Sequence, residues 1–350
     1  MAAISKRQRK MRSEQHEVGR GPSRTARAGA SAPTLAERIA GRGGPLLLDG
    51  ATGTELERAG LSTRLPLWST HALLEAPECV FRIHAAYLVA GAEIVTANSF
   101  RTQRRTLARA ALGAADAQLT RLAVGLARQA VDRAAAAGGE RAWVAGSLPP
   151  LEDCYRPDLV PSDSALAREH GRQAELLGEA GVELILVETM NAAREARAAA
   201  VAAARTGLPF VVGFVAWDGS RILSGEALSE VAKEAIDLGA VAVGVNCLPP
   251  ANLEACRRAL MSVPAPLLVS PNLGEPEPRT GFARDASRDP QGFAAALSPW
   301  LTEPALIVGG CCGTTPAHIA ALSARLRAEA LAASPPNQPG KHTHSPKRGA

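Results

Sequence analysis

The sequence predicts an α/β protein of the (β/α)8 type, a TIM barrel forming a single domain. Three observations carry that reading. Eight short runs rich in Val, Ile, Leu and Phe alternate with Ala-, Leu- and Arg-rich helical stretches. Most of those runs are continuously apolar, as parallel strands buried on both faces are. A helix–Gly–strand joint recurs at Ala90-Gly91-Ala92, Ala180-Gly181-Val182 and Leu238-Gly239-Ala240, which fits a helix C-cap just before the next strand. The alternative is an open doubly wound sheet, weakened because no Gly-x-Gly-x-x-Gly follows the first run.

In chain order, residues 34–40 predict a short helix leading into the barrel. The strands are expected at 46–49, 93–97, 142–146, 184–188, 210–215, 241–246, 267–270 and 305–308. The stretches 77–90, 114–137, 165–180 and 192–204 are long enough for crossover helices. A last helix starts at Thr314-Thr315-Pro316. Eight such units in about 290 residues match the usual length of this fold. Aromatics are only 3% of the chain, so Ala, Val and Leu must build the core. No apolar run approaches the roughly 20 residues that span a bilayer.

The net charge of +5 is unevenly placed. Residues 1–43 carry +7 and residues 334–350 carry +3, which leaves −5 on the part between. An acidic core argues against a nucleic-acid groove in the folded part. Residues 1–43 read as a disordered basic extension, with contact to RNA or another acidic surface as the alternative. Residues 44–332 read as the barrel. Residues 333–350, with Ser-Pro-Pro-Asn-Gln-Pro-Gly, read as a disordered tail in which His342 and His344 are not ligands.

The six cysteines (79, 154, 247, 256, 311 and 312) are irregularly spaced in a chain too long for a disulfide-stapled domain. A reducing, cytoplasmic compartment follows. Cys79 and Cys256 fall in predicted helices and read, with Cys154, as small buried apolar residues.

In this fold chemistry lies where strands end and the following loops begin. Those ends carry Asp49-Gly50, Thr96-Ala97-Asn98-Ser99-Phe100, Gly146-Ser147, Glu188-Thr189, Asn246-Cys247, Pro271-Asn272 and Cys311-Cys312. Three cysteines thus reach one rim. Neighbouring side chains on a strand face opposite ways, so Cys311 and Cys312 meet only if the backbone curls. Glycines at 309, 310 and 313 permit the curl. Three thiolates fit a zinc ion with one position open, the mark of a catalytic rather than a structural site. A buried apolar role and a vicinal Cys311–Cys312 disulfide are the competing readings.

A metal-bound thiol is deprotonated outright, whereas a free one is only a few per cent thiolate at pH 7. Asp49 and Glu188 sit on the same rim. A buried carboxylate needs a partner. An ammonium group would serve, and with the zinc it describes an amino-thiol ligand. Pairing with a core Arg, or capping a loop, is the other reading of each.

These residues resemble a known family. Asp-Gly-Ala-Thr-Gly-Thr-Glu-Leu (49–56), Gly-Val-Asn-Cys (244–247) and Gly-Gly-Cys-Cys-Gly-Thr-Thr-Pro (309–316) are similar to the homocysteine S-methyltransferases. Leu67-Trp68-Ser69, Glu188-Thr189 and Ser270-Pro271-Asn272-Leu273-Gly274-Glu275 extend the likeness, which runs from about residue 46 to 331. The resemblance implies a TIM barrel with Zn2+ on Cys247, Cys311 and Cys312, and homocysteine held at its amino-acid end by Asp49 and Glu188. Trp68 matches a position that lines the cationic methyl donor's site in the betaine-dependent members; plain loop packing is the other reading. Asn98, at the second strand end, joins these as a candidate substrate contact.

The implied reaction moves a methyl group from S-methylmethionine or S-adenosylmethionine to homocysteine, giving methionine. The alternatives are betaine or a corrinoid partner as donor, another thiol or a selenol as acceptor, and a non-enzymatic zinc- or thiol-binding protein. The chain lacks cobalamin and folate modules and the long C-terminal arm of the betaine enzyme. Arg101-Thr-Gln-Arg-Arg105 is unusually basic for a chain whose donor is a cation, unless those side chains point away. Residues 276–289 also depart from the family pattern.

Overall fold

All eight apolar runs become strands in the computed structural model, each bounded within two residues of its expected limits. The structure describes residues 33–274, 289–303 and 305–333. Most of the basic extension, the C-terminal tail and nearly all of the divergent segment 276–289 lie outside the described residues. The strands are β1 (Leu46–Leu47), β2 (Ile94–Ala97), β3 (Trp143–Leu148), β4 (Leu184–Met190), β5 (Phe210–Phe214), β6 (Ala242–Asn246), β7 (Leu267–Ser270) and β8 (Leu306–Val308). They pair in parallel in the order β1-β8-β7-β6-β5-β4-β3-β2. A single parallel bridge from Leu48 to Ile94 joins β1 to β2 and closes the barrel. The expected crossover helices form at Pro77–Val89, Asp116–Ala136, Asp163–Glu179 and Ala193–Ala204. Gly91, Gly181 and Gly239 have φ of 102°, 85° and 101°, the left-handed cap that only Gly adopts without a Cβ penalty.

Strand alternation sorts the core into two layers. Leu47, Val144, Ile185 and Val243 face the surrounding helices. Leu46, Leu48, Ile94, Trp143, Leu184, Leu186 and Ala242 fill the barrel interior. Continuing each inward series by two residues reaches polar side chains: Thr96 after Ile94, Ser147 after Ala145, Glu188 after Leu186, Asn246 two places beyond Gly244. The barrel is therefore apolar through its lower layers and polar at the C-terminal mouth.

The boundary expected between residues 43 and 44 falls inside the folded unit. Helix Leu35–Ile39 begins with a capping box between Thr34 and Glu37. Its Leu35 and Ile39 join the interior cluster. Arg38 pairs with Glu93, whose other oxygen accepts the Leu47 N–H at 3.1 Å. Glu183 repeats the device, accepting the Val144 N–H at 2.8 Å and pairing with Arg128. No helix among the described residues is long and apolar enough to cross a membrane.

Candidate active site

The mouth of the barrel opens into a cavity of about 1660 Å3. Its floor is Leu48, Leu186 and Leu268, the last apolar inward residues of β1, β4 and β7. Above them the three cysteines come together. The Cys247, Cys311 and Cys312 sulfurs all lie within 4.8 Å of one another, and Cys247 Sγ is 3.8 Å from Cys312 Sγ. All six cysteines are free, which removes the vicinal disulfide.

Zinc–sulfur bonds of about 2.3 Å at a tetrahedral angle put sulfurs about 3.8 Å apart. The Cys247–Cys312 spacing meets that requirement, and an all-sulfur donor set suits a soft ion. The residues therefore fit a metal. Without one, the Cys247 thiol is held well above the usual thiol range, first by its hydrogen bond to Cys311 and further by burial.

Local backbone explains how adjacent residues converge. Cys247 has φ 58°, left-handed, so the alternation breaks after Asn246 and both side chains face the cavity. Beyond β8, Cys311 continues the inward series from Ile307 and Gly309. The chain then turns at Gly313, with φ 86°, and brings Cys312 in. Gly309 and Gly310 are needed for another reason than the curl expected from sequence. A Cβ at Gly309 would lie 2.7 Å from the Asp49 carbonyl oxygen, and one at Gly310 would lie 2.5 Å from Thr314 Oγ1. They let β8 press against β1 and against the turn. That turn is tied down by Gly313 N donating to Thr54 Oγ1 at 3.0 Å and by Arg58 donating to the Gly313 carbonyl at 2.6 Å.

Asp49 and Glu188 are both in the cavity wall and take no Arg partner among the described residues. Asp49 accepts from the Thr96 N–H at 2.8 Å and from Thr96 Oγ1 at 2.9 Å. Glu188 accepts from the Ser147 hydroxyl and, at 3.5 Å, from Asn246 Nδ2. It is aimed inward at an irregularity of β4 between Val187 and Met190, where Thr189 has φ 61°. Asn246 holds that bulge by accepting the Thr189 N–H at 2.8 Å. Burial pushes the Asp49 carboxyl up to about 8, with the Glu188 charge adding to it, and burial pushes Glu188 up to about 7. A cation placed beside them would favour their charged forms.

Trp68 also lines the cavity, its indole laid over Gly53, where a Cβ would come within 2.3 Å of the ring. Asn98 lines it too, and donates Nδ2 to the Ser69 carbonyl at 3.0 Å, which fixes the loop carrying Trp68. Three further aromatics line the cavity; sequence reasoning placed Phe100 at a strand end and missed Tyr155 and Trp217. Phe100 meets Trp68 edge-on at 5.4 Å. Tyr155 and Trp217 stack at 5.2 Å on the loops after β3 and β5, and Tyr155 Oη lies 3.1 Å from Cys247 Sγ. Burial holds the Tyr155 phenol well above its usual range, so it stays protonated beside the Cys247 sulfur. Four of the chain's twelve aromatic side chains thus face one cavity.

Cys79 and Cys256 are buried in helices as expected. Cys154 is not a core residue: it lines the cavity beside Tyr155, its thiol raised by burial to about 12. The basic stretch after β2 divides. Arg104 pairs with Asp116, and Arg105 pairs with Glu152 and Glu169, but Arg101 faces the cavity.

The model of the family "Homocysteine S-methyltransferase" matches residues 46–326. Homocysteine S-methyltransferase 4 of Zea mays is 30% identical over 315 residues, covering 81% of this chain and 90% of its own. Selenocysteine Se-methyltransferase of Brassica oleracea var. italica is 29% identical over 323 residues, covering 84% and 92%. The metallated form of the homocysteine methyltransferase MmuM from Escherichia coli superposes with a TM-score of 0.71 at 33% identity, covering 80% of this chain and 96% of that one. The eight-stranded barrel, the three clustered thiols and these matches agree, and the chain belongs to the homocysteine S-methyltransferase family.

Proposed function

We propose that this enzyme transfers a methyl group from a sulfonium donor, S-methylmethionine or S-adenosylmethionine, to the thiolate of homocysteine, giving methionine. The observation that carries the reading is the meeting of three free thiols with two carboxyls, the buried Asp49 and the half-buried Glu188, that lack a cationic partner among the described residues. Zinc held by Cys247, Cys311 and Cys312 would supply one open position at which a substrate thiol loses its proton.

The chain's own residues do the rest. Asp49 and Glu188 hold the homocysteine ammonium, which orients its sulfur toward the cysteines. Tyr155 Oη shares a hydrogen bond with Cys247 Sγ and fixes that side chain. Trp68, Phe100 and Trp217 offer aromatic faces to the donor cation and keep water from its reacting methyl. The homocysteine sulfur forms the new S–CH3 bond in line with the old one. The donor's S–CH3 bond breaks, and its electron pair leaves with a neutral thioether. No general base is required after the thiol proton is lost. The cysteine ligands must stay reduced, which fits a reducing, cytoplasmic compartment.

The similarity to a protein named selenocysteine Se-methyltransferase supports a second reading, a selenol acceptor at the same site. The test is methionine formation from homocysteine with each donor in turn, against selenocysteine, with zinc measured on the same sample. Cys247→Ser is expected to lose metal and activity together. An active, metal-free Cys247→Ser enzyme would refute the proposal.

A further inference from the structure

A positive side chain is out of place beside a site for a cationic methyl donor, and Arg101 is such a side chain. Four arginines line the cavity: 64, 101, 109 and 156. Arg109 is paired with Glu152, Arg156 is paired with Asp158, and Arg64 is exposed. Arg101 has no carboxylate within ion-pair distance among the described residues. Its Nη1 donates to the Glu152 carbonyl at 3.1 Å. Its Nε is buried and finds no acceptor among the described residues. That leaves the edge formed by Nε and Nη2, the edge that grips a carboxylate with two parallel hydrogen bonds. The guanidinium is held in place by the Phe100 ring, 5.2 Å from its centroid. Phe100 in turn meets Trp68. Arg101 therefore belongs to the aromatic wall, on which the proposed methyl donor rests, and not to the carboxylate pair that takes the acceptor's ammonium.

We propose that Arg101 anchors the carboxylate of the methyl donor, so that the site selects zwitterionic, amino-acid-type onium compounds over onium compounds with no free carboxylate. The inference rests on the methyl-transfer reading above and deepens it. The ligand's negative group meets Arg101 while its cationic end lies against the aromatic faces and the thiolates. One ligand then satisfies the orphaned N–H edge and removes the repulsion that Arg101 would exert on a plain cation.

The experiment compares S-methylmethionine with its methyl ester, which keeps the sulfonium and loses the charged carboxylate. Binding is measured calorimetrically on wild type, Arg101→Ala and Arg101→Lys. Methionine formation from homocysteine, homocysteine affinity and metal content are measured alongside. Wild type is expected to bind the acid about 30–100-fold more tightly than the ester. Arg101→Ala is expected to bind both equally and weakly, with Arg101→Lys between, and with homocysteine affinity and metal content unchanged. An acid-to-ester ratio near one in wild type overturns the inference, whether or not the variants fold. So does a ratio preserved in Arg101→Ala, a loss of homocysteine affinity in its place, or no binding of either compound to wild type. Methionine formed equally from acid and ester sinks the anchor and leaves the methyl-transfer reading standing. An Arg101-dependent ratio without methionine formation from any donor does the reverse.

Discussion

Replacing Glu188 by Gln removes one charge from the acceptor site and keeps the side chain's shape. Burial holds this carboxyl at about 7 where a free one stands at 4.5, which corresponds to about 3 kcal/mol of unfavourable charge burial. A substrate ammonium against it returns about 2–3 kcal/mol of that, or about 30- to 150-fold in Kd. Glu188→Gln is therefore expected to weaken homocysteine binding by that factor at pH 8, where wild-type Glu188 is ionised. Below pH 7 the wild-type carboxyl is protonated and must release its proton to accept the ammonium. The wild-type advantage then shrinks by about tenfold for each pH unit. Asp49 is held at about 8 partly by the Glu188 charge, so it titrates lower in Glu188→Gln and adds a further difference between the two pH profiles.

Stability without substrate runs the other way. A carboxyl raised in the folded state stabilises fully below its unfolded value of 4.5, and that contribution is lost as pH rises through about 7. Ligand-free Glu188→Gln should match wild type near pH 4.5 and exceed it by up to about 3 kcal/mol at pH 8. Calorimetry with homocysteine and urea unfolding at both pH values, at equal metal content, read the two effects. Equal homocysteine affinity at pH 8, or parallel pH profiles for the two proteins, would show that Glu188 does not meet the ammonium.

Three other substitutions separate the parts of the molecule. Trp68→Ala is expected to raise the donor KM about 5- to 30-fold with little change in the homocysteine KM; steady-state kinetics showing the opposite split would place Trp68 on the acceptor side. Gly310→Ala puts a Cβ 2.5 Å from Thr314 Oγ1 and should cost about 1–3 kcal/mol in urea unfolding and lower metal affinity, so an unchanged Tm and full metal content would count against a close-packed role. Arg38→Met breaks the ion pair at the base of the barrel and leaves Glu93 half-buried with the Leu47 N–H as its remaining partner. A loss of about 2–4 kcal/mol of stability with kcat preserved is expected, and a kcat that falls in step with stability would contradict the separation of base from mouth.

Strand positions were legible because a buried parallel strand must be apolar throughout, and nothing else in the chain combines that composition with Gly-capped joints. The errors at the ends have causes. Residues 34–43 carry Glu37, Arg38 and Arg42 around only two apolar core-facing side chains, Leu35 and Ile39, too few to stand out from the basic stretch before them. Cys247, Cys311, Cys312, Asp49 and Glu188 were legible because strand ends define the mouth. Tyr155 and Trp217 were not, because they sit in loops whose path no periodicity records. Arg101 carried a signal in its charge, but direction was undetermined: Arg104 and Arg105 found carboxylates elsewhere and Arg101 did not.

The limit of legibility coincides with the places where the backbone leaves the strand. Period two points Thr96, Ser147, Glu188, Asn246 and Cys311 inward, and all five line the cavity. The residues that complete the site are those that break the period. Thr189 and Cys247 take left-handed φ with a Cβ present, at an energy of order 1–2 kcal/mol each, and Trp68 does the same with φ 47°. These are three of the four non-Gly residues with positive φ among the described residues, and all three face the cavity. A regular strand end presents one inward side chain to the mouth. Two adjacent inward side chains, Asn246 with Cys247 and Cys311 with Cys312, require a break in alternation, and the three-sulfur cluster exists only because two strands make that break at the same height. The strain is concentrated where ligands must converge, and the barrel beneath, closed and apolar, is what holds it there.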